Sequence, residues 1–150
     1  MKTLLEAIRT RIAEQVLYLG GDKAVHFVPD RFALPETTPF PCVGLKDGAV
    51  MQHYYLGAAR QKAELNVEII CYVQIFEYGA AIIGKGTEKG ILDVLYDVRT
   101  VLEWWAPTDY RWINGDVDED ASQAINVMNE AGETQKLIQV KGFTMKWLKG

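Results

Sequence analysis

Across residues 63–75 every second position is small or apolar: Ala63, Leu65, Val67, Ile69, Cys71, Val73 and Ile75. Glu64, Asn66, Glu68, Ile70, Tyr72 and Gln74 lie between them. A period of two held this long predicts a strand with one buried face, because successive side chains leave a strand on opposite sides. At about 3.3 Å per residue such a strand runs roughly 40 Å, far beyond the five or six residues of an average one. It overreaches the core of a small domain, so part of it must pair with, or pack on, something else. The second face turns apolar late, at Ile70, Tyr72 and Phe76, which predicts a helix or a second subunit covering that end.

Two stretches carry a helical period instead. Leu4, Leu5, Ile8, Ile12, Val16 and Leu19 recur at three- and four-residue steps, with Glu6, Arg9, Arg11 and Glu14 opposite. This predicts an amphipathic helix over 3–19, with Thr3 as N-cap and Gly20-Gly21 as the stop. Ile91, Val94, Leu95, Val98, Val101 and Leu102 form a second stripe, with Asp93, Asp97 and Arg99 on the wet side, predicting a helix over 87–104. Gly90 falls in its first turn, a mild penalty.

The rest reads as strands and turns. Residues 24–28 suit a short strand, and Pro29, Pro35, Pro39 and Pro41 make 29–41 an extended, irregular segment, a surface linker or a contact arm. Strands follow at 42–45 and 49–56, separated by a turn at Lys46-Asp47-Gly48. Gly57-Ala58-Ala59 turns the chain into the long strand, 62–76. Beyond the second helix come a strand at 110–113, an acidic loop at 114–120, a strand at 124–128, a turn at Ala131-Gly132-Glu133 and a last strand at 136–147. Adjacent Leu137 and Ile138 suggest a bulge in that last strand. Sequential strands joined by short turns predict one α+β domain over 1–150, an antiparallel sheet with a long central strand and hairpin and two helices packed on one face.

Composition narrows the function. A chain of 150 residues with 49% apolar and 24% charged residues is a globular domain of ordinary size. The net charge of −4 argues against a general nucleic-acid binder, which needs a basic face, and suits a channel wall that DNA passes without sticking. Cys42 and Cys71, each in an apolar run, read as reduced core thiols. No apolar run reaches the roughly 18 residues of a membrane span. Glu6, Arg9 and Arg11 interrupt any signal-peptide core, so synthesis and folding in a cytoplasm are expected.

Candidate chemistry is sparse. Gly79-Ala80-Ala81-Ile82-Ile83-Gly84-Lys85-Gly86-Thr87 approaches a phosphate-binding loop. Gly86, however, stands where the hydroxyl that holds Mg²⁺ belongs, and the intervening residues are apolar. A glycine hinge before the second helix is the expectation there. Gly84, Gly86 and Gly90 are spaced one residue too widely for a dinucleotide fingerprint. The run Asp116-Val117-Asp118-Glu119-Asp120 opens like a calcium loop, but Ala121 replaces the sixth-position glycine and Val127 the twelfth-position glutamate. His26 and His53 sit in no metal-binding spacing; His26 reads as an ordinary strand residue. No catalytic residue, cofactor or metal is expected. Trp104, Trp105, Trp112 and Trp147 supply enough aromatic mass to anchor an interface.

The opening helix "LLEAIRTRI", the proline-rich approach "PETTPFPCVGLKDG", the long strand "AELNVEIICYVQIFE" and the helix "KGILDVLYDVRTVLE" together resemble the tail-terminator (tail-completion) proteins of long-tailed bacteriophages and prophages. The likeness covers residues 3–103 as pattern and order; the final third matches only in being strand-rich. Members of that family are small α+β proteins without catalytic residues. They form a hexameric ring that caps the tail tube, stops its polymerisation and provides the head-joining surface. The resemblance implies a virion protein at the tail end whose partners are its own copies, the tail tube protein and a head-tail connector protein, with DNA passing through unbound. Ile70, Tyr72, Phe76, Tyr54 and Tyr55 are the candidate interface residues, and Asp116, Asp118, Glu119 and Asp120 the candidate acidic lining of the lumen. The alternatives are a small nucleotide- or phosphate-binding enzyme using Lys85, and a non-catalytic binding module using the same exposed strand edge.

Overall fold

The computed structural model describes residues 1–34, 38–54, 61–113, 117–128 and 131–149. Helix α1, Lys2–Gln15, buries Leu4, Ile8 and Ile12. The stripe continues through Val16 into a 3-10 turn at Leu17–Leu19, where Gly20 stops it with a φ of 88°. The helix predicted over 3–19 therefore tightens after Gln15. Thr3 lies inside α1, and Met1 occupies the N-cap without a side-chain hydrogen bond.

The chain is α+β, with one mostly antiparallel sheet. Its strands are β1 (Val25–Phe27), β2 (Cys42–Tyr54), β3 (Gln61–Gln74), β4 (Tyr110–Trp112), β5 (Asp118–Glu119), β6 (Gln123–Met128) and β7 (Thr134–Lys149). Across the sheet the order is β1, β2, β3, β7, and the far edge of β7 is served in turn by β6, β5 and β4. The long strand is central, as its alternation predicts: Leu65, Val67, Ile69, Cys71 and Val73 are buried together on the face where α1 and α3 (Ile91–Leu102) pack.

One pair departs from the predicted antiparallel pattern. β1 runs parallel to β2, with Val25 opposite Val43. The proline-rich segment connects them, and its opening residues lie over the other face of the sheet. Arg31 lies on that face, its carbonyl oxygen accepting from the Tyr72 hydroxyl at 2.6 Å and its guanidinium donating to Glu68 at 3.0 Å. Val28 stands so close that a Cβ on Gly44 would lie 3.0 Å from it. The segment is thus an arm across the sheet. It, and neither a helix nor a second subunit, covers Ile70 and Tyr72, both 0% exposed.

The predicted turn at Lys46-Asp47-Gly48 is a bulge inside one continuous strand, since the register with β3 shifts between Asp47 and Val50. Gly48 is needed because a Cβ there would sit 2.7 Å from the Asn66 carbonyl oxygen, while the Asn66 amide donates to the Ala49 carbonyl at 2.8 Å. A bulge bends a strand without ending it. The predicted bulge at Leu137 and Ile138 falls slightly earlier, where Val127 and Met128 skip one residue of β7 opposite Lys136 and Thr134.

A third helix, α2 (Tyr78–Ile83), was not expected. Its end presses on the start of α3: a Cβ at Gly90 would lie 2.4 Å from the Gly84 nitrogen. Gly90 is the N-cap of α3 and not part of its first turn, and its N–H donates to the Asp93 carboxylate at 3.0 Å. Arg11 ties α1 to α3 by donating to the Val101 carbonyl at 3.0 Å.

Candidate functional site

Among the described residues much of the outer side of β2 is left without a partner strand. β1 covers β2 only from Val43 to Leu45, and one further bond runs from the Val28 N–H to the Leu45 carbonyl. Among the described residues no strand lies on the outer side of β2 over residues 46–54. The side chains there are uncovered too: Val50 is 46% and Met51 52% exposed. An edge of this kind presents unsatisfied N–H and C=O groups to any chain that can pair with it.

The opposite edge at the same end of the sheet is β4. The pairings Val50 with Leu65, Leu65 with Trp147, and Trp147 with Trp112 set these four side chains in one row on the helix face. Leu65 and Trp147 are buried, and the Trp147 indole donates to the Trp105 carbonyl at 3.0 Å. The row ends half-exposed at both edges, in Val50 and Trp112. Trp104 meets Trp112 edge-on, with ring centroids 4.9 Å apart, and is 75% exposed.

A second apolar surface lies around α2. Phe76, 79% exposed, is followed by exposed Tyr78, Ile82 and Ile83, and α3 adds Leu92 and Tyr96. Beside it a cleft of about 270 Å³ is lined by Tyr18, Phe40, Val73, Phe76 and Lys89 among others. Burial, then the hydrogen bond that its hydroxyl donates to Asp97 at 2.7 Å, pushes the Tyr18 phenol well above its ordinary value.

Of the predicted interface residues, Phe76 alone is shown at a free surface. Ile70 and Tyr72 lie under the chain's own arm, so neither presents a side chain to a partner. Tyr54 ends β2, and Tyr55 lies outside the described residues, as does the predicted turn at 57–59. Asp116 also lies outside them.

The remaining acidic residues are not a free loop. Asp118 and Glu119 form β5 against Thr144 and Phe143. Glu119 pairs with Arg99 at 3.2 Å and Lys141 at 3.3 Å, and Asp120 pairs with Arg31. These carboxylates join the arm, α3 and β7, so exposed Glu119 and Asp120 each have a cationic partner within the subunit. Among the described residues no three His, Cys, Asp or Glu side chains converge as metal ligands.

Part of the near-Walker segment is likewise occupied by its own backbone. Much of it is α2, the Ala81 and Gly84 N–H groups donate to Glu77 and Ala80, and Lys85 and Glu88 exchange both backbone bonds. Amides turned inward this way cannot cradle a phosphate, and Lys85 itself pairs with Glu77 at 3.5 Å. The expected hinge is a helix and a closed turn. The two thiols are free and buried. Cys42 stands opposite Tyr72 and Cys71 opposite Val43, so they leave the sheet on opposite faces. Burial pushes Cys42 up to about 12 and Cys71 higher still.

Sequence reasoning named Trp104 and Trp112 as aromatic mass for an interface without pairing them, and it missed the Arg31 clasp and α2. Only α2 left a signal, the four-residue step between Tyr78 and Ile82 beside Ala80 and Ala81. Among the described residues no helix is long and apolar enough to cross a membrane. Compared with models of protein families and with curated protein sequences, the chain finds no match.

Proposed function

We propose that the chain is a structural protein of a long-tailed phage virion, a tail terminator whose copies close into a hexameric ring on the end of the tail tube. The observation that carries this reading is the outer edge of β2, uncovered over residues 46–54 among the described residues and flanked by exposed Val50 and Met51. A strand edge pairs readily with a second chain, and a head-to-tail contact that closes makes a ring. The mechanism is geometric. One face of the ring copies the contact that tube subunits make with each other and halts further addition. The other face receives the head-tail connector. The net charge of −4 suits a passage through which DNA slides unbound.

Light scattering with negative-stain imaging at micromolar concentration tests this, on the protein alone and mixed with tail tubes. Rings, free or on tube ends, and tubes that stop growing are the expected result. Monomers beside tubes that continue to lengthen would overturn the reading. A protein that leaves the tubes alone and instead binds extended peptides along β2 would be a non-catalytic binding module.

A further inference from the structure

We infer that the ring contact is strand addition between opposite edges of the sheet, with residues 50–52 on β2 of one copy antiparallel to β4 of the next. This rests on the ring reading above and names the two surfaces that meet.

Strand direction comes first. β2 is antiparallel to β3, β3 to β7, and β7 to β4, so β2 and β4 run in opposite senses. A second copy placed beside the first in the same orientation sets β4 against β2 as an antiparallel pair. The sheet then continues from copy to copy without a change of pattern. The bulge at Asp47–Val50 ends where the regular edge begins.

The side chains agree with that register. With Trp112 opposite Val50 of the neighbour, Arg111 falls opposite Met51 and Tyr110 opposite Gln52. The row of Val50, Leu65, Trp147 and Trp112 then runs unbroken from one subunit into the next, and its two half-exposed ends cover each other. Arg111 and Met51, both exposed, meet on the other face, where an arginine stem packs well on an apolar neighbour.

Trp104 supplies an independent observation. Glu103 and Trp104 are the central residues of a tight turn closed by the Trp105 N–H on the Leu102 carbonyl at 3.2 Å. Trp104 has a φ of 61°, a left-handed place that glycine fills without strain and a bulky residue does not. Within one subunit this strained residue leaves its ring exposed against Trp112. In the paired arrangement the two rings form a lid over Val50 of the neighbour, the sort of aromatic anchor found at contact centres. Symmetric pairing of two β2 edges would leave both rings uncovered and would stop at a dimer.

Cysteine cross-linking tests the contact. Within one chain, residues 51 and 111 are separated by three strand spacings of about 4.8 Å each, too far for a disulfide, whereas directly opposed residues are within reach. The native thiols are buried. The full-length Met51→Cys/Arg111→Cys protein, mildly oxidised alone and on tail tubes, is expected to give a ladder of covalent multimers ending at the ring. A mixture of the two single variants should stop at dimers. Rings without a ladder would overturn the edge pairing and leave the terminator reading standing, whereas absence of both rings and tube capping removes both. Dimers from Met51→Cys alone would assign the edge to symmetric pairing and overturn the proposal. A Trp104→Gly variant relieves the strained turn. It is expected to stay folded while needing at least about tenfold more protein to form rings; unchanged assembly would remove the aromatic lid from the contact.

Discussion

The hydroxyl of Tyr72 donates to the carbonyl oxygen of Arg31 at 2.6 Å, joining residues that lie far apart in the chain. Arg31 itself reaches on to Glu68 and Asp120. One residue of the arm is therefore held by the central strand through its backbone and by two carboxylates through its side chain. Tyr72→Phe removes one buried hydrogen bond and leaves the Arg31 carbonyl without that donor, a loss of about 1 kcal/mol. Arg31→Ala, which frees Glu68 and Asp120 as well, should lower stability further, by about 2 kcal/mol. Urea unfolding of both variants measures this, and a smaller effect from Arg31→Ala than from Tyr72→Phe would show that the side-chain clasp adds nothing.

The thiols should be silent in the folded protein. Burial pushes Cys42 up to about 12 and Cys71 higher, and only a thiolate reacts readily. At pH 8 a thiol reagent is expected to label neither residue until denaturant is added, after which both react. Fast labelling of the native chain would contradict the burial of β2 and β3.

His26 gives the stability a pH dependence. On β1 its Nε2 is buried and has no hydrogen-bond partner among the described residues. Burial first, and then the nearby Arg9 charge, hold it below its ordinary 6.5. The unfolded chain therefore takes up a proton more readily than the native one as pH falls. The sign follows: this contribution is complete above about 6.5 and is lost as pH drops toward the folded-state value. Thermal unfolding across pH 7.5 to about 5 should show falling stability in the wild type and a shallower slope in His26→Gln. An unaltered slope would place the titration elsewhere.

Gly90 has no room for a side chain, since a Cβ would lie 2.4 Å from the Gly84 nitrogen and 2.5 Å from the Ile82 carbonyl oxygen. Both obstacles are backbone and cannot turn aside. Gly90→Ala is expected to destabilise by at least about 2 kcal/mol, with the contact between α2 and α3 lost first. Calorimetry gives the magnitude. A wild-type transition would mean that α2 does not sit where it is described.

The alternation of β3 was legible because each of its apolar positions reports burial directly, and the stripes of α1 and α3 report theirs in the same way. The strands at β1, β4, β6 and β7 were placed to within a few residues. What escaped depends on contacts between distant positions. Ile70 and Tyr72 announce a second buried face, but nothing local to them says that the cover is Arg31 and its neighbours. Asp47-Gly48 carries the chemistry of a turn, and only the Asn66 side chain reaching Ala49 keeps the strand running through it. Glu119 and Asp120 look like unpaired acid until Arg31, Arg99 and Lys141 are brought beside them. The interface residues were the least legible. Apolar surface that waits for a partner has the same composition as core, and in Ile70 and Tyr72 it was core.

The position of β7 has a consequence for biosynthesis. It is the last strand in chain order, yet it lies at the middle of the sheet, between β3 and the three short strands. While the chain is being made, β2 and β3 can form their hairpin, but β3 keeps one open side and β4, β5 and β6 have nothing to join until β7 is complete. The pairing of Ala63 with Lys149 is among the most distant in the chain, and contacts of such separation are slow to form. Of the two edges inferred to meet between subunits, β2 can therefore form with its hairpin, whereas β4 acquires its final place only when β7 arrives. A copy can offer its β4 edge to a neighbour only once β7 has paired with β3.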